Sequence, residues 1–275
     1  SNLINGVDHI SHTHNLSEAA YSRGQPEWGG HLAEELEVLI APQDENSIAA
    51  VIVEPVAGAT GILPPPLGYL ERLREICTKH GILLIFDEVI TGFGRVGASF
   101  AAERFDVIPD IITCAKGLTN GVIPMGAVLI KDEIYDTFMT GPEQMPELFH
   151  GYTYSGHPVA AAAGIAALEV YEEEGSFQQA RELEEMFADE AHQFDDHPRV
   201  IDVRNFGLMA AVELEPRDNA PGTRGLEVHK RLFWDENLVI RNTMDILQFC
   251  PFLNAKPEDI RSMFGAVKRV LDTLE

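Results

Sequence analysis

Short unbroken apolar runs, each closed by a turn signal or one charge and separated by helical patterns, constrain this chain more than any other feature. Residues 48–53 run into Glu54 and Pro55, residues 82–86 into Asp87, and residues 111–115 into Lys116. A short apolar run bounded in this way reads as a buried strand. A fourth such run covers 126–130. Residues 30–41 and 67–80 carry apolar positions at helical spacing, Gly81 is a stop for the second, and 98–105 reads as a short helix. Strands alternating with helices imply βαβ units and an α/β fold with a mainly parallel sheet. Strands apolar on both faces imply a sheet covered on both sides.

The pattern changes further on. Residues 158–174 predict a long helix with Pro158 in its first turn and Gly175 as its stop. Its run of alanine and glycine permits close backbone approach. A helix over 176–194, strands over 200–205 and 208–214, a helix over 225–236, short strands over 238–241 and 246–249, and a closing helix over 257–274 follow. This stretch has no repeated βα unit. It predicts a small α+β domain over 175–275, after a large domain over 1–174 that includes the connecting helix at about 158–174.

With 20 basic residues against 44 acidic ones the net charge is −24, which argues against binding a phosphate backbone and so against nucleic acid. The charge reads as a solvated acidic face, or, more sharply, as adaptation to high salt, since such charge repels itself unless screened. A thermal midpoint that rises with added salt is the expected mark of the second reading, and a flat response rules it out. No apolar run approaches the roughly 20 residues of a membrane helix. No basic stretch followed by an apolar one opens the chain, so no signal peptide is expected. The first residue is not Met, so the true start is expected to have been removed or to lie upstream. Cys77, Cys114 and Cys250 are scattered among apolar neighbours. Their spacing fits no zinc site and no disulfide framework, and they read as reduced thiols of a cytoplasmic protein.

In parallel sheets ligands sit beyond the carboxyl ends of the strands. Glu54, Asp87 and Lys116 all fall there. A lysine directly after an apolar strand is costly unless it has a task or a partner. Ala115 and Gly117 beside it leave room for a flat cofactor. A lysine that attacks an aldehyde must be neutral, so its pKa must sit well below the free value of about 10.4. A lysine for a Schiff base, together with a carboxylate for a pyridinium nitrogen, is the pair that pyridoxal phosphate requires.

Several features have a second reading. Asp87 could simply cap the next segment, and Lys116 could be a surface lysine. An apolar strand followed by Asp87 and Glu88 also describes a nucleotide-binding Walker B element. That reading needs a G-x-x-x-x-G-K-[ST] loop, which this chain lacks. Gly92, Gly94 and Gly97 spell G-x-G-x-x-G, but residues 88–91 separate them from the strand, and no strand ending in an acid follows about 20 residues on. They read as a flexible loop bordering the site. Thr153, just before the long helix, is placed to meet a phosphate, or merely to precede a cap. Arg241, ending the expected strand 238–241, suits a substrate carboxylate, or is a surface arginine.

Assembled, these residues resemble the class III aminotransferases of the pyridoxal phosphate fold type I superfamily, over nearly the whole chain. The motifs that carry the resemblance are Val53-Glu54-Pro55-Val56, the stretch from Leu84 through Asp87 to Arg95, the stretch from Pro109 through Lys116 to Gly117, and His150-Gly151-Tyr152-Thr153-Tyr154-Ser155. Pro124-Met125-Gly126-Ala127, residues 204–208 and Leu247-Gln248-Phe249 resemble the omega-amino acid–pyruvate (β-alanine–pyruvate) members. The resemblance implies that Lys116 bonds the cofactor and moves the proton, while Asp87 keeps the ring nitrogen protonated and Val89 packs on one ring face. It implies that Thr153 meets the phosphate of a neighbouring subunit's cofactor, hence a dimer with shared sites. Arg241 would hold a substrate carboxylate, and Glu54 would lie near cofactor and substrate. The implied reaction moves an amino group from an amine or omega-amino acid to pyruvate or a similar keto acid.

The chain departs from the family in two respects. Members usually exceed 400 residues, so residues 1–174 would be only part of a cofactor-binding large domain. The phosphate cup, the second stacking ring and much of the pocket would lie elsewhere, and bare sheet edges would invite a partner chain. Cys250 also stands where that subfamily usually has glycine. A fragment or interaction subunit that keeps the motifs without holding the cofactor is therefore an alternative, and a nucleotide-binding domain a lesser one.

Overall fold

The structure is a computed structural model, and it describes residues 6–42, 47–144, 148, 150 and 152–274. Its first half contains α1 (Leu16–Ala19), a 3-10 turn (Gly30–Glu34), α2 (Glu35–Ile40), β1 (Ala50–Val53), α3 (Tyr69–His80), β2 (Leu83–Asp87), α4 (Ala101–Arg104), β3 (Ile111–Cys114), β4 (Ala127–Ile130) and α5 (Asp132–Phe138). The long helix α6 (Pro158–Glu174) leads into α7 (Ser176–His192), β5 (Val200–Phe206), β6 (Met209–Leu214), α8 (Thr223–Asp235), β7 (Arg241–Thr243), β8 (Ile246–Phe249) and α9 (Pro257–Leu271). Among the described residues no helix is long and apolar enough to cross a membrane.

The first sheet has the order β1-β2-β3-β4. Strands β1, β2 and β3 are parallel, in a register that sets Val53 beside Phe86 and Asp87 beside Thr113. Strand β4 runs antiparallel to β3. The link between them holds only a 3-10 turn (Lys116–Leu118) and no helix, so the chain doubles back instead of crossing over. Leu70, Leu73, Ile76 and Cys77 of α3, at helical spacing, pack with Leu36, Ile40, Leu84 and Phe86 in one core. Burying each large side chain contributes about 1.5–3 kcal/mol. Gly81 ends α3 at φ 67°, a backbone that glycine adopts without steric cost. Ile52, Val128, Leu129 and Ile130 are left exposed on the edge strands.

Asp110, just before β3, ties this layer together. Its carboxylate accepts from the Leu84 amide (2.8 Å), Arg74 (2.7 Å) and Lys131 (2.8 Å). Burial pushes its pKa up, but these bonds outweigh burial and hold it below 3.8. A depressed carboxylate pKa adds stability above the unfolded-state value of about 3.9, and that stability is lost as pH falls through the folded value. Asp110→Asn should therefore cost about 1–3 kcal/mol at pH 7, with wild-type and variant melting curves converging below about pH 4. An equal gap at pH 7 and pH 3 would contradict this account.

The second sheet is antiparallel, in the order β5-β6-β8-β7. Its core joins Phe187, Phe194, Phe249 and Phe264 with aliphatic residues of α7, α8 and α9. A third cluster bridges the halves, with Val56, Ile62, Val96 and Ala101 packing on Phe206, Met209 and Ala211. An N-terminal segment also crosses over. The Tyr21 amide donates to Asp202 (2.5 Å), the Gly24 amide donates to the Asn205 carbonyl (3.2 Å), and Arg23 pairs with Asp189 (2.6 Å). Buried Arg204 lies beside this seam. It donates to the carbonyls of Gly61 and Ile62 and pairs with Asp202 and Glu213. His14, Asp202 and Glu213 bring ligand-type atoms within 4.8 Å of one another, but the Arg204 guanidinium already supplies their counter-charge.

Three expectations change. The strand expected over 238–241 is β7, over 241–243, so Arg241 opens a strand instead of ending one. Asn237 turns at φ 55° and the Leu238 amide caps α8 on the Leu232 carbonyl, which delays the strand. The helix expected over 30–41 begins as a 3-10 turn, at whose start Gly30 lies against the Leu67 carbonyl, 2.4 Å from where a Cβ would stand. The helix expected over 98–105 shrinks to α4.

Candidate active site

The carboxyl ends of β1, β2 and β3 lie side by side, and each carries one candidate residue. Glu54 follows β1, Asp87 closes β2, and Lys116 lies two residues beyond β3. The acid and the lysine are thus on neighbouring parallel strands, with Asp87 registered beside Thr113, three residues before Lys116. Asp87 is half-buried, and one of its oxygens accepts from the Val89 amide (3.1 Å), which folds Val89 back over the strand end. A Glu54 oxygen accepts from the Gly58 amide (3.0 Å).

Lys116 is exposed and has φ 43°, in the left-handed region that side chains other than glycine, Asn and Asp rarely adopt. Such backbone persists only where its surroundings enforce it, and it concentrates at functional sites. The enforcement here is visible. A Cβ on Gly117 would stand 2.7 Å from Phe93, and the Gly117 carbonyl accepts from the Tyr171 hydroxyl (2.8 Å) and the Asn120 amide (3.3 Å). From α6, buried Gly164 faces the Leu118 carbonyl, at ordinary contact distance (3.5 Å) from where a Cβ would stand. The close packing expected of the small-residue run is not seen: of α6 only Ala160 and Gly164 are buried, and Val159, Ile165, Leu168 and Val170 are exposed.

The G-x-G-x-x-G stretch is a packed turn, which corrects the expectation of a flexible loop. Its amides at Phe93 and Gly94 donate to the Ser99 and Ala98 carbonyls, and Phe93 and Val96 are buried. Arg95 crosses to the second half, donating to the carbonyls of Pro251 (2.6 Å) and Leu208 (3.2 Å). Cys250, next to Pro251, is reachable by solvent and lies within electrostatic reach of Arg95, Lys116 and Arg241. Burial raises its thiol pKa and these three cations lower it, with burial the stronger effect. Arg241 is exposed at the edge of the second sheet. Thr153 does not join this group within one chain. It is exposed, between the exposed rings of Tyr152 and Tyr154, and Gly151 of its motif lies outside the described residues.

Three contributors were invisible in the sequence. Glu88 is fully buried and accepts from the amides of Ala101 (2.6 Å) and Ala102 (2.9 Å) and from Thr91 (2.9 Å), which anchors α4 behind β2. Burial raises its pKa and these three bonds oppose the rise. Thr91, three residues on, was the one available signal. Arg95 and Tyr171 bond distant carbonyls, and no spacing announces that.

The chain belongs to the family described as aminotransferase class-III, whose match spans residues 7–271. It is 55% identical to an omega-aminotransferase of Caulobacter vibrioides, covering 99% of this chain and 62% of that protein. It is 49% identical to a beta-alanine–pyruvate aminotransferase of Pseudomonas aeruginosa, covering 97% and 60%. Among solved structures, the omega transaminase from Pseudomonas jessenii in complex with PMP superposes with a TM-score of 0.87 at 34% identity, covering 98% of this chain and 61% of that one. The chain thus spans about three fifths of the length of these relatives. None of these matches supports the nucleotide-binding reading.

Proposed function

We propose that this chain is the part of a pyridoxal phosphate-dependent aminotransferase that carries its reactive lysine, and that the amino group passes from an amine or omega-amino acid to pyruvate or a similar keto acid. The observation that carries the proposal is Lys116, in a strained turn at the end of β3, beside the strand that ends in Asp87. The family match and the names of the relatives support the choice of reaction.

The residues present fit that cofactor. Asp87 has an oxygen with no hydrogen-bond partner among the described residues, free to accept from a ring nitrogen. Lys116 has an exposed amine with small neighbours. When bound, pyridoxal phosphate supplies the carbonyl that carries the amino group and an electron-withdrawing ring. Lys116 takes a proton from the donor carbon and returns one in the reverse half-reaction. Asp87 keeps the ring nitrogen protonated by holding a negative charge against it. Val89 packs on one ring face and Glu54 borders the substrate side. Arg241 holds a substrate carboxylate in a bidentate pair.

Thr153 serves the phosphate of a neighbouring subunit's cofactor, in a dimer with shared sites. Its exposure, and that of Tyr152, Tyr154 and Val159, supports that role. We assign residues 1–174 to the partial cofactor-binding domain and 175–275 to the small one. The three unpaired thiols support a cytoplasmic location.

The test is to add pyridoxal phosphate, reduce with borohydride and map the modified peptide. Label on Lys116 is the expected result. Folded protein without it would favour the second reading, a chain that keeps the motifs without holding the cofactor, for which the three-fifths length is the motive.

A further inference from the structure

We propose that Tyr171 is a positioning residue, whose hydroxyl holds the Lys116 turn in its left-handed form and so sets where the lysine amine stands. The inference deepens the proposed function and rests on it for the role of Lys116. Its geometry stands apart from that role.

The Tyr171 hydroxyl donates to the Gly117 carbonyl at 2.8 Å. The turn's own backbone bonds include Leu118 to Ala115, Thr119 to Lys116 and Asn120 to Gly117, at 3.0–3.3 Å, and the Thr119 hydroxyl donates to the Ile123 carbonyl (2.6 Å). Phe93 also packs on the turn, and against it Gly117 has no room for a side chain. Phe93 and Tyr171 are themselves stacked, with centroids 6.4 Å apart. The turn is therefore held by a ring and a hydroxyl that pack against each other.

Tyr171 is set by its helix. It lies two turns after Gly164 on the same face of α6, the face that approaches Leu118. Its ring also meets Phe177 in the first turn of α7, at 5.2 Å. The residue thus touches the lysine turn, the Gly92–Gly97 turn and the start of the second half together. Without the hydroxyl, the Gly117 carbonyl keeps only the 3.3 Å bond from Asn120, and the peptide between Gly117 and Leu118 can tilt, which loosens the turn just beyond Lys116. Only the Thr119-to-Lys116 bond then opposes the drift of Lys116 away from φ 43° toward conformations where an L-residue meets less steric repulsion, and the position of its amine is less sharply set.

The test compares wild type, Tyr171→Phe and Lys116→Ala. Phenylalanine keeps the contacts with Phe93 and Phe177 and removes the bond alone. Two readouts are taken: amide exchange at Leu118 and Thr119 without cofactor, and the rate of borohydride-trapped labelling at Lys116 relative to the exposed Lys230. A general loosening of the fold leaves that ratio unchanged or raises both rates. For Tyr171→Phe the expected result is exchange faster by about two- to tenfold, the worth of one such bond. The Lys116-to-Lys230 ratio should fall by a similar factor, with a melting midpoint within a few degrees of wild type. Unchanged exchange, or an unchanged ratio in protein that labels at Lys116, overturns the proposal. If wild type itself does not label at Lys116, the functional reading falls and the exchange rates still decide whether Tyr171 holds the turn.

Discussion

Lys116→Ala will leave the protein folded and abolish its reaction with pyridoxal phosphate at the strand edge. Lys116 is exposed and no bond from its amine appears among the described residues, so removing the side chain leaves no buried group unsatisfied. Alanine is poorer than glycine at φ 43° but no worse than the lysine it replaces. A melting midpoint within about 2 °C of wild type is expected on these grounds. Any transamination by the protein, alone or completed by a partner chain, should fall by at least the factor of about 10²–10⁴ that a positioned proton-transfer group contributes. Absorbance after adding cofactor and turnover with an omega-amino acid and pyruvate both check this. A variant that turned over substrate at the wild-type rate would remove Lys116 from the mechanism.

The largest loss of stability is expected at Arg204. Its guanidinium is buried against Asp202 and Glu213 and also serves the carbonyls of Gly61 and Ile62. Arg204→Met fills a similar volume but strands two carboxylates, one of them buried. Breaking one side of a buried ion pair costs about 3–5 kcal/mol. At about 2–4 °C per kcal/mol in a chain of this size, the melting midpoint should fall by about 6–20 °C. Adding Asp202→Asn and Glu213→Gln to Arg204→Met should recover part of the loss, because the charges left behind are then neutral. A triple variant no more stable than the single one would show that packing, not uncompensated charge, sets the cost.

Much of the candidate site was legible because its residues sit where a strand pattern breaks. Asp87 and Lys116 stand out as charges that terminate apolar runs, and the parallel sheet puts both at one edge. The register of β2 and β3 then follows from the fold. Arg241 was legible as a residue type near a strand but not in register, because a local turn at Asn237 decides where β7 begins. Glu88 entered the sequence reading only as the second acid of a Walker B-like pair. Only the fold shows it buried under α4, since its partners are backbone amides 13 and 14 residues away. Arg95 and Tyr171 are harder still, for their acceptors are carbonyls 156 and 54 residues distant. A bond from a side chain to remote backbone imposes no periodicity and no residue type on its acceptor, so the sequence carries half of it at most.

The seam between Tyr21 and Asp202 also governs kinetics. Those residues are 181 positions apart, and the bond between them closes most of the chain into a single loop. Pairings of such high contact order form late, because closure entropy must be met before the contact contributes anything. The two halves can each gather a core beforehand, since their clusters share no residue. The segment before Gly24 thus acts as a latch on an otherwise assembled molecule. During synthesis that segment has to wait, unpaired, until the chain through Asn205 has been made.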